Sequence, residues 1–423
     1  MYTFGFSFYP WKNPQAIADG ASILLYIEET ADHFGIRQKI QFKQKAVHAN
    51  WSSQRQKWQV AGANGTTGEQ TMVECRFLFM CSGYYDYAQG HEPTFPNSDA
   101  FTGPIIHPQK WDTHLDYTDK RIVIIGSGAT AITLLPVLAQ KAKSVTMLQR
   151  SPTYIMNMPS EDGVANFLKK VLPAKVAYQI SRWKNILISI GFYQATRKWP
   201  DAVKRFLQKN IAETLGDKYE KRHFDPTYNP WDQRLCLVPD NDFFEAIKAG
   251  KADIVTDTIK TFTPDGVALE SGEQLDADII VTATGLKVQL MGGMQLSLDG
   301  APVDVAQTHT YKGLMLSDIP NFAVSIGYTN ASWTLKSDLN SIFVAKLLNH
   351  MQRKQYAVCV PRFDSDKLQT ERLLDFDAGY ILRAEAILPK QGSKSPWKVY
   401  QNYIRDLFLL KYGRVKDAYL EYS

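Results

Sequence analysis

One stretch restricts the possible folds more than any other. Residues Lys120 to Arg150 read KRIVIIGSGATAITLLPVLAQKAKSVTMLQR. Arg121–Ile125 is a short apolar run rich in Ile and Val, as expected of a strand covered on both faces of a parallel sheet. Gly126-Ser127-Gly128-Ala129-Thr130-Ala131 follows at once, a helix-compatible segment runs from Ala129 to about Lys141, and Ser144–Leu148 reads as a second strand. This is the spacing of a βαβ unit. Gly126 would make the tight turn, and Gly128 would let backbone approach a pyrophosphate. Ala131 would keep helix and strand close. The helix N-terminus then offers free N–H groups and a partial positive charge.

The end of the second strand narrows the ligand. An NAD site usually carries Asp or Glu there for the ribose hydroxyls. Here the strand ends Gln149-Arg150-Ser151. A guanidinium and a hydroxyl suit the additional 2′-phosphate of NADP, through a charge-assisted contact of roughly 1.5–3 kcal/mol.

Length and composition set the frame. A chain of 423 residues allows two or three domains. The net charge of +5 favours anionic cofactors but is too diffuse to argue for nucleic acid. Cys75, Cys81, Cys236 and Cys359 make no CxxC pair and no metal spacing, so no metal site is expected and a reducing, cytoplasmic setting is. The same spacing argues against a disulfide reductase.

Around the βαβ unit the chain reads as mixed α/β. A helix is expected over residues 13–33, with Pro14 in its first turn, followed by short strands at 39–42, 46–51, 57–60 and 70–75. Phe77–Met80 reads as a buried strand breaking at Cys81-Ser82-Gly83-Tyr84, and residues 278–281 as another ending Thr282-Ala283-Thr284-Gly285. Small residues at a strand's carboxyl end admit a cofactor. Two such ends flanking the nucleotide unit fit one cofactor domain inserted in another. Residues 160–216 read as inserted helices. Their cationic and aromatic positions (Lys169, Lys170, Arg182, Trp183, Lys184 and Arg197 among them) suit a solvated outer face better than a membrane surface. Before the long helix expected up to about His350, Asn330 or Ser332 is placed to cap its N-terminus.

These residues together resemble a known family. Phe101–Trp111 matches the FxGxxxHxxxW fingerprint of Baeyer–Villiger monooxygenases, among the class B flavin-dependent monooxygenases. GSGATA, the run Gln149–Tyr154, the Ala283–Gly285 turn and Asn229–Arg234 (NPWDQR) strengthen the match, which is closest to the ethionamide-activating branch. The related flavin-containing monooxygenases, which oxygenate nitrogen and sulfur, usually carry Tyr or Phe at the place of Trp111.

The resemblance implies two Rossmann-like domains. An NADP domain at 120–285, carrying a helical insertion at about 157–223, would sit within an FAD domain made of 1–119 and 286–423. It implies that NADPH reduces FAD and that one oxygen atom of O₂ enters a ketone or a sulfide. Arg234 would stabilise the negative charge that develops on oxygen. His107 would act in domain coupling or NADP positioning. Val47, Cys81, Ser82, Gly83, Tyr84, Asn330, Trp333 and Thr334 would contact FAD, with the Val47 backbone against the adenine. Family members begin with a strand and a GxGxxG for the FAD pyrophosphate, whereas MYTFGFSFYPW resembles the sequence beyond that unit. The expectation is that roughly 60 residues, one βαβ unit, precede this start. A chain without them would be an NADP-binding remnant lacking flavin.

Overall fold

A computed structural model of the protein describes residues 1–423 apart from Arg234 and Phe376. Its best-defined layer is a parallel five-stranded sheet. The strands lie in the order Ala252–Thr256, Ser144–Gln149, Arg121–Ile125, Ile279–Thr282 and Ile105–Ile106. Ile122, Val123 and Ile124 are at most 1% exposed, as the unbroken apolar run requires. One face is covered by helices Ala129–Leu138 and Asp242–Lys248, whose Ile132, Leu135, Phe243 and Phe244 close a single core. The other face carries an antiparallel meander, Ile259–Thr263, Gly266–Leu269 and Gln274–Asp276. The edge strand Ile105–Ile106 comes from ahead of residue 120 and carries the chain into the sheet.

A second five-stranded sheet runs Ala301–Pro302, Gln295–Leu298, Gln44–Ser52, Lys57–Asn64 and Gln70–Cys75. Its last three strands are the expected meander. Gln295–Leu298 returns after the nucleotide sheet and pairs in parallel with Gln44–Ser52. Beside it, Leu78–Met80 and Phe322–Val324 pair in parallel as a two-stranded piece. Helix Trp333–Lys354 packs below through Leu339, Phe343 and Leu347.

Several expectations shift. The first helix is Gly20–His33, and residues 13–19 ahead of it form bends with one isolated bridge from Gln15 to Glu161. The Asp19 carboxylate caps it, accepting from the Ser22 N–H at 2.8 Å, while Ala16 and Ile17 donate their N–H groups to the Ser160 carbonyl. Residues 39–42 form no strand, because a 3₁₀ turn at Arg37–Lys39 and a positive φ at Lys43 bend the chain there. The inserted helices are Gly163–Val171, Ala174–Lys198 and Pro200–Leu215. Their cations do not form one solvated face. Arg182 is 2% exposed, donates to the Tyr2 carbonyl and lies 3.7 Å from Asp338, because this helix passes between the N-terminal loop and helix Trp333–Lys354. Lys184 pairs with Asp162 and Arg197 with Asp232. Among the described residues, no helix is long and apolar enough to cross a membrane.

Two straps join the sheet regions. Tyr85–Gly90 leads into the nucleotide sheet and Leu286–Val288 leads out, and they pair antiparallel with each other.

Candidate functional site

The glycine loop is held from two sides. Gly126 adopts φ +130°, a region closed to most side chains. A methyl group there would also lie 2.4 Å from the Ala283 carbonyl oxygen. The Gly126 N–H donates to the Leu148 carbonyl at 2.8 Å. Ala283 therefore forms the wall of a turn more than a hundred residues away in sequence. Gly128 begins the helix with extended backbone, and nothing lies within 4 Å of the place a side chain would take. Ala129 and Thr130 are exposed in the first turn, whereas Ala131 is wholly buried between helix and strand. The Ser127 hydroxyl donates to the Ser151 carbonyl at 2.9 Å, which ties the loop to the basic strand end. Arg150 and Ser151 are exposed, and Arg150 makes no ion pair among the described residues. Open space, free helix N–H groups and an uncommitted guanidinium are what a nicotinamide nucleotide with an extra phosphate needs.

The 101–111 fingerprint runs beside strand Ile279–Thr282, which leads into Gly285. Phe101 is buried in the core under the meander. Gly103 fits where a methyl group would come 2.4 Å from the Asp278 carbonyl. Trp111 packs against the opposite core and edge-on to Tyr117 at 6.2 Å. His107, 8% exposed, lies between them. Its Nδ1 accepts from the Gln109 N–H at 3.3 Å, so its proton sits on Nε2, which donates to the Gly285 carbonyl at 3.2 Å. The ring lies on Gly90, where even a methyl group would collide with it. His107 thus clasps both straps at once. Thr284 and Gly285 belong to the same clasp: the Thr284 hydroxyl donates to the His91 carbonyl at 2.5 Å, and the His91 N–H donates to the Gly285 carbonyl. Gln109, which donates to the Asp86 carbonyl at 3.0 Å, and His91 complete it. Neither carries a sequence signal. Among the described residues, no His, Cys, Asp and Glu cluster could hold a metal ion.

The remaining predicted contacts come from three stretches, two of which meet at Tyr84 and Trp333. Val47 lies in a bulge between the paired residues Ala46 and His48, so its backbone is freed from the neighbouring strand. The strand Leu78–Met80 opens into exposed Cys81, then Ser82, then Gly83 at φ +72°. The Ser82 hydroxyl is buried with no partner, which marks a place where a ligand's polar group fits. Tyr84 is buried and stacks on Trp333, with ring centroids 4.6 Å apart. The Trp333 ring presses on Gly327, and the cavity among Tyr84, Gly327 and Trp333 is about 20 Å³. The polar groups suit a flavin dinucleotide, and a flavin ring would enter this corner only with Trp333 turned aside.

Asn330 and Ser332 act differently from expectation. The Asn330 amide donates to the Gln401 carbonyl at 3.0 Å. Ser332 occupies the cap position without a capping hydrogen bond, and its hydroxyl pairs with that of Thr3 at 2.7 Å. Thr334 is half-buried in the first turn. Those first-turn N–H groups lack a side-chain cap. The helix is fixed instead by a buried triad invisible in the sequence. Lys336 Nζ and the Tyr328 hydroxyl both donate to Asp406 Oδ2, at 2.8 and 2.7 Å. Burial pushes the ammonium pKa down, opposed by the carboxylate.

Arg234 lies outside the described residues. Asp232 accepts from Arg197 at 2.5 Å, and Asp225 from Lys204 and Gln208, both at 2.7 Å.

The parallel nucleotide sheet, its glycine loop and the paired straps define a dinucleotide-dependent oxidoreductase. Residues 4–292 match the family described as flavin-binding monooxygenase-like. The chain is 50% identical over 426 residues to the FAD-containing monooxygenase EthA of Mycobacterium tuberculosis, covering 100% of this chain and 86% of that protein. It is 46% identical over 425 residues to a protein of Acinetobacter baylyi named as the probable FAD-binding monooxygenase AlmA, with 100% and 85% covered. Among solved structures, a steroid monooxygenase bound to NADP superposes with a TM-score of 0.74 at 20% identity, over 100% of this chain and 89% of that one. The last likeness establishes the fold. The chain belongs to the flavin-binding monooxygenase-like family and is an enzyme of that kind.

Proposed function

We propose that this chain is an NADPH- and FAD-dependent monooxygenase that inserts one oxygen atom of O₂ into ketones, giving esters or lactones, and oxygenates sulfides. The observation that carries the reading is the glycine loop: Gly126 wedged on Ala283, an open Gly128 and an unpaired Arg150 at the next strand end. Residues 120–285 take NADP, with the helical insertion at about 157–223. Residues 1–119 and 286–423 form the flavin side.

The N–H groups of Ser127 to Thr130 bind the pyrophosphate, and Arg150 and Ser151 hold the 2′-phosphate. Val47, Ser82, Gly83 and the uncapped turn at Trp333 and Thr334 hold FAD, which supplies hydride acceptance and oxygen activation when bound. Arg234 stabilises negative charge developing on the oxygen to be transferred and on the substrate carbonyl. The support for this role is the NPWDQR match at Asn229–Arg234. His107, protonated on Nε2, sets how the straps approach and so positions one cofactor against the other. Cys75, Cys81, Cys236 and Cys359 form no disulfide among the described residues, which supports a reducing, cytoplasmic setting.

The test is aerobic turnover with FAD and NADPH. Oxygen uptake that rises with simple ketones or sulfides, with ester or sulfoxide as product, is the expected result. NADPH binding without flavin absorbance or product would leave a nucleotide-binding protein and reject the monooxygenase reading.

A further inference from the structure

One cleft lies away from both nucleotide regions. It encloses about 870 Å³ between the last turns of helix Trp333–Lys354 and the segment Tyr412–Lys416, whereas two other described clefts hold about 320 and 250 Å³. Lys346 begins its wall 13 residues beyond Trp333, about 20 Å along the helix from its flavin-side end at 1.5 Å per residue.

Its lining carries one sign of charge. Lys346, His350, Arg353, Arg414 and Lys416 face it, and no Asp or Glu does. None of the four permanent cations pairs with a carboxylate among the described residues. Asp417, the adjacent acid, is turned away: it accepts from Tyr311 at 2.5 Å and lies 3.4 Å from Lys312. The wall is built rather than incidental. Leu407–Tyr412 forms a π-helical turn, and Lys346 Nζ donates to the carbonyls it frees at Leu410, Lys411 and Gly413, at 3.3, 2.7 and 2.9 Å. That fixes one ammonium at the floor. The His350 Nε2 in the same wall is buried and has no hydrogen-bond partner. A solvated outer face would interleave acids or splay its cations outward. Here five basic side chains line one open cleft with no acid among them, which concentrates positive potential. Exposed Tyr412 at its rim, 64% accessible, offers an apolar ring beside the charges.

We infer that this cleft binds a phosphate-bearing anion, held by Arg353, Arg414 and Lys416 over the Lys346 floor. The ligand is either a free phosphate ester or the headgroup of an anionic lipid, since both present the same charged oxygens.

The probes are inorganic triphosphate and vesicles of phosphatidylcholine containing phosphatidylglycerol. Triphosphate binding is measured by calorimetry at low salt with NADP⁺ saturating the glycine loop, and vesicle binding by flotation. Wild-type protein should bind at least one probe in a salt-sensitive way. The Arg353→Ala/Arg414→Ala/Lys416→Ala variant should lose about tenfold or more in affinity while keeping its NADP⁺ affinity. Triphosphate alone identifies a free phosphate ester, and vesicles alone identify a headgroup. Failure of wild type to bind either probe, or equal binding by the variant, overturns the inference. Should the triple variant unfold, Arg353→Glu on the exposed helix face gives the same readout.

Discussion

The glycine loop of the nucleotide sheet belongs to one continuous run, Lys120–Arg150, whereas the residues proposed for the flavin side, Val47, Ser82 and Trp333, come from three stretches, the last of them beyond the whole nucleotide sheet in sequence. In the first, ligand geometry is a property of backbone: a turn only glycine enters, and a helix end whose N–H groups point outward. In the second, side chains occupy the approach, and Tyr84 stacked on Trp333 fills space that a ring would take. A site written in backbone survives side-chain rearrangement. A site assembled from distant side chains depends on all of them being placed together.

Substitutions test that contrast, beginning with the largest effect. Gly126→Val should weaken NADPH binding more than about 100-fold, since it meets both the positive φ and the Ala283 carbonyl, roughly 3 kcal/mol or more together. Fluorescence titration measures it, and tolerance of valine would break the contrast at its root. Arg150→Ala should raise the NADPH Kd by roughly 10- to 100-fold and leave NADH unchanged. Equal losses for both coenzymes would remove the 2′-phosphate assignment.

His107→Ala should loosen the straps. Hydrogen exchange at the His91 amide, which bonds to Gly285, should speed up by roughly 5- to 30-fold, corresponding to about 1–2 kcal/mol. An unchanged rate would show that the clasp lies elsewhere. Ser82→Ala removes a buried hydroxyl without a partner, so thermal stability of the flavin-free chain should hold or rise slightly. Flavin retention should fall by roughly fivefold, about 1 kcal/mol. Unaltered retention would take Ser82 out of the flavin contacts.

The smallest effect concerns the nucleotide sheet's own border. The Arg121 guanidinium, aided by its N–H, holds the Asp278 carboxyl below the usual carboxylate range. A carboxylate depressed in the folded state stabilises above its unfolded pKa of about 3.9, and that contribution disappears as pH falls through the folded value. Asp278→Asn should therefore cost roughly 0.5–1 kcal/mol near neutral pH, allowing for its partial exposure, and progressively less under acid. A stability difference independent of pH would place the contribution outside this ion pair.

The same contrast explains what could be read from residues alone. Arg121–Ile125 is recovered to the residue, because apolar continuity and a glycine turn are local signals. The clasp around His107 is legible only in part. Its fingerprint spacing is visible, but Gln109, His91 and Asp86 join it through folded backbone contacts with no pattern in sequence. The triad of Lys336, Asp406 and Tyr328 and the buried Arg182 were hidden for the same reason. On a helix written as a line, a lysine destined for the interior looks like one destined for water. The first helix began late because the N–H groups at Ala16 and Ile17 bond to Ser160, a partner that propensity does not include.

The side-by-side straps carry a mechanical consequence. A single tether would let the halves swivel in any sense. Two ribbons laced to each other at Gly90–Leu286 and Tyr85–Val288 bend easily out of their plane and resist twisting within it. The inserted helix Ala174–Lys198 adds a third tie through Arg182, which reaches Tyr2 and Asp338, so the two sheets are braced from both sides rather than strung on one thread.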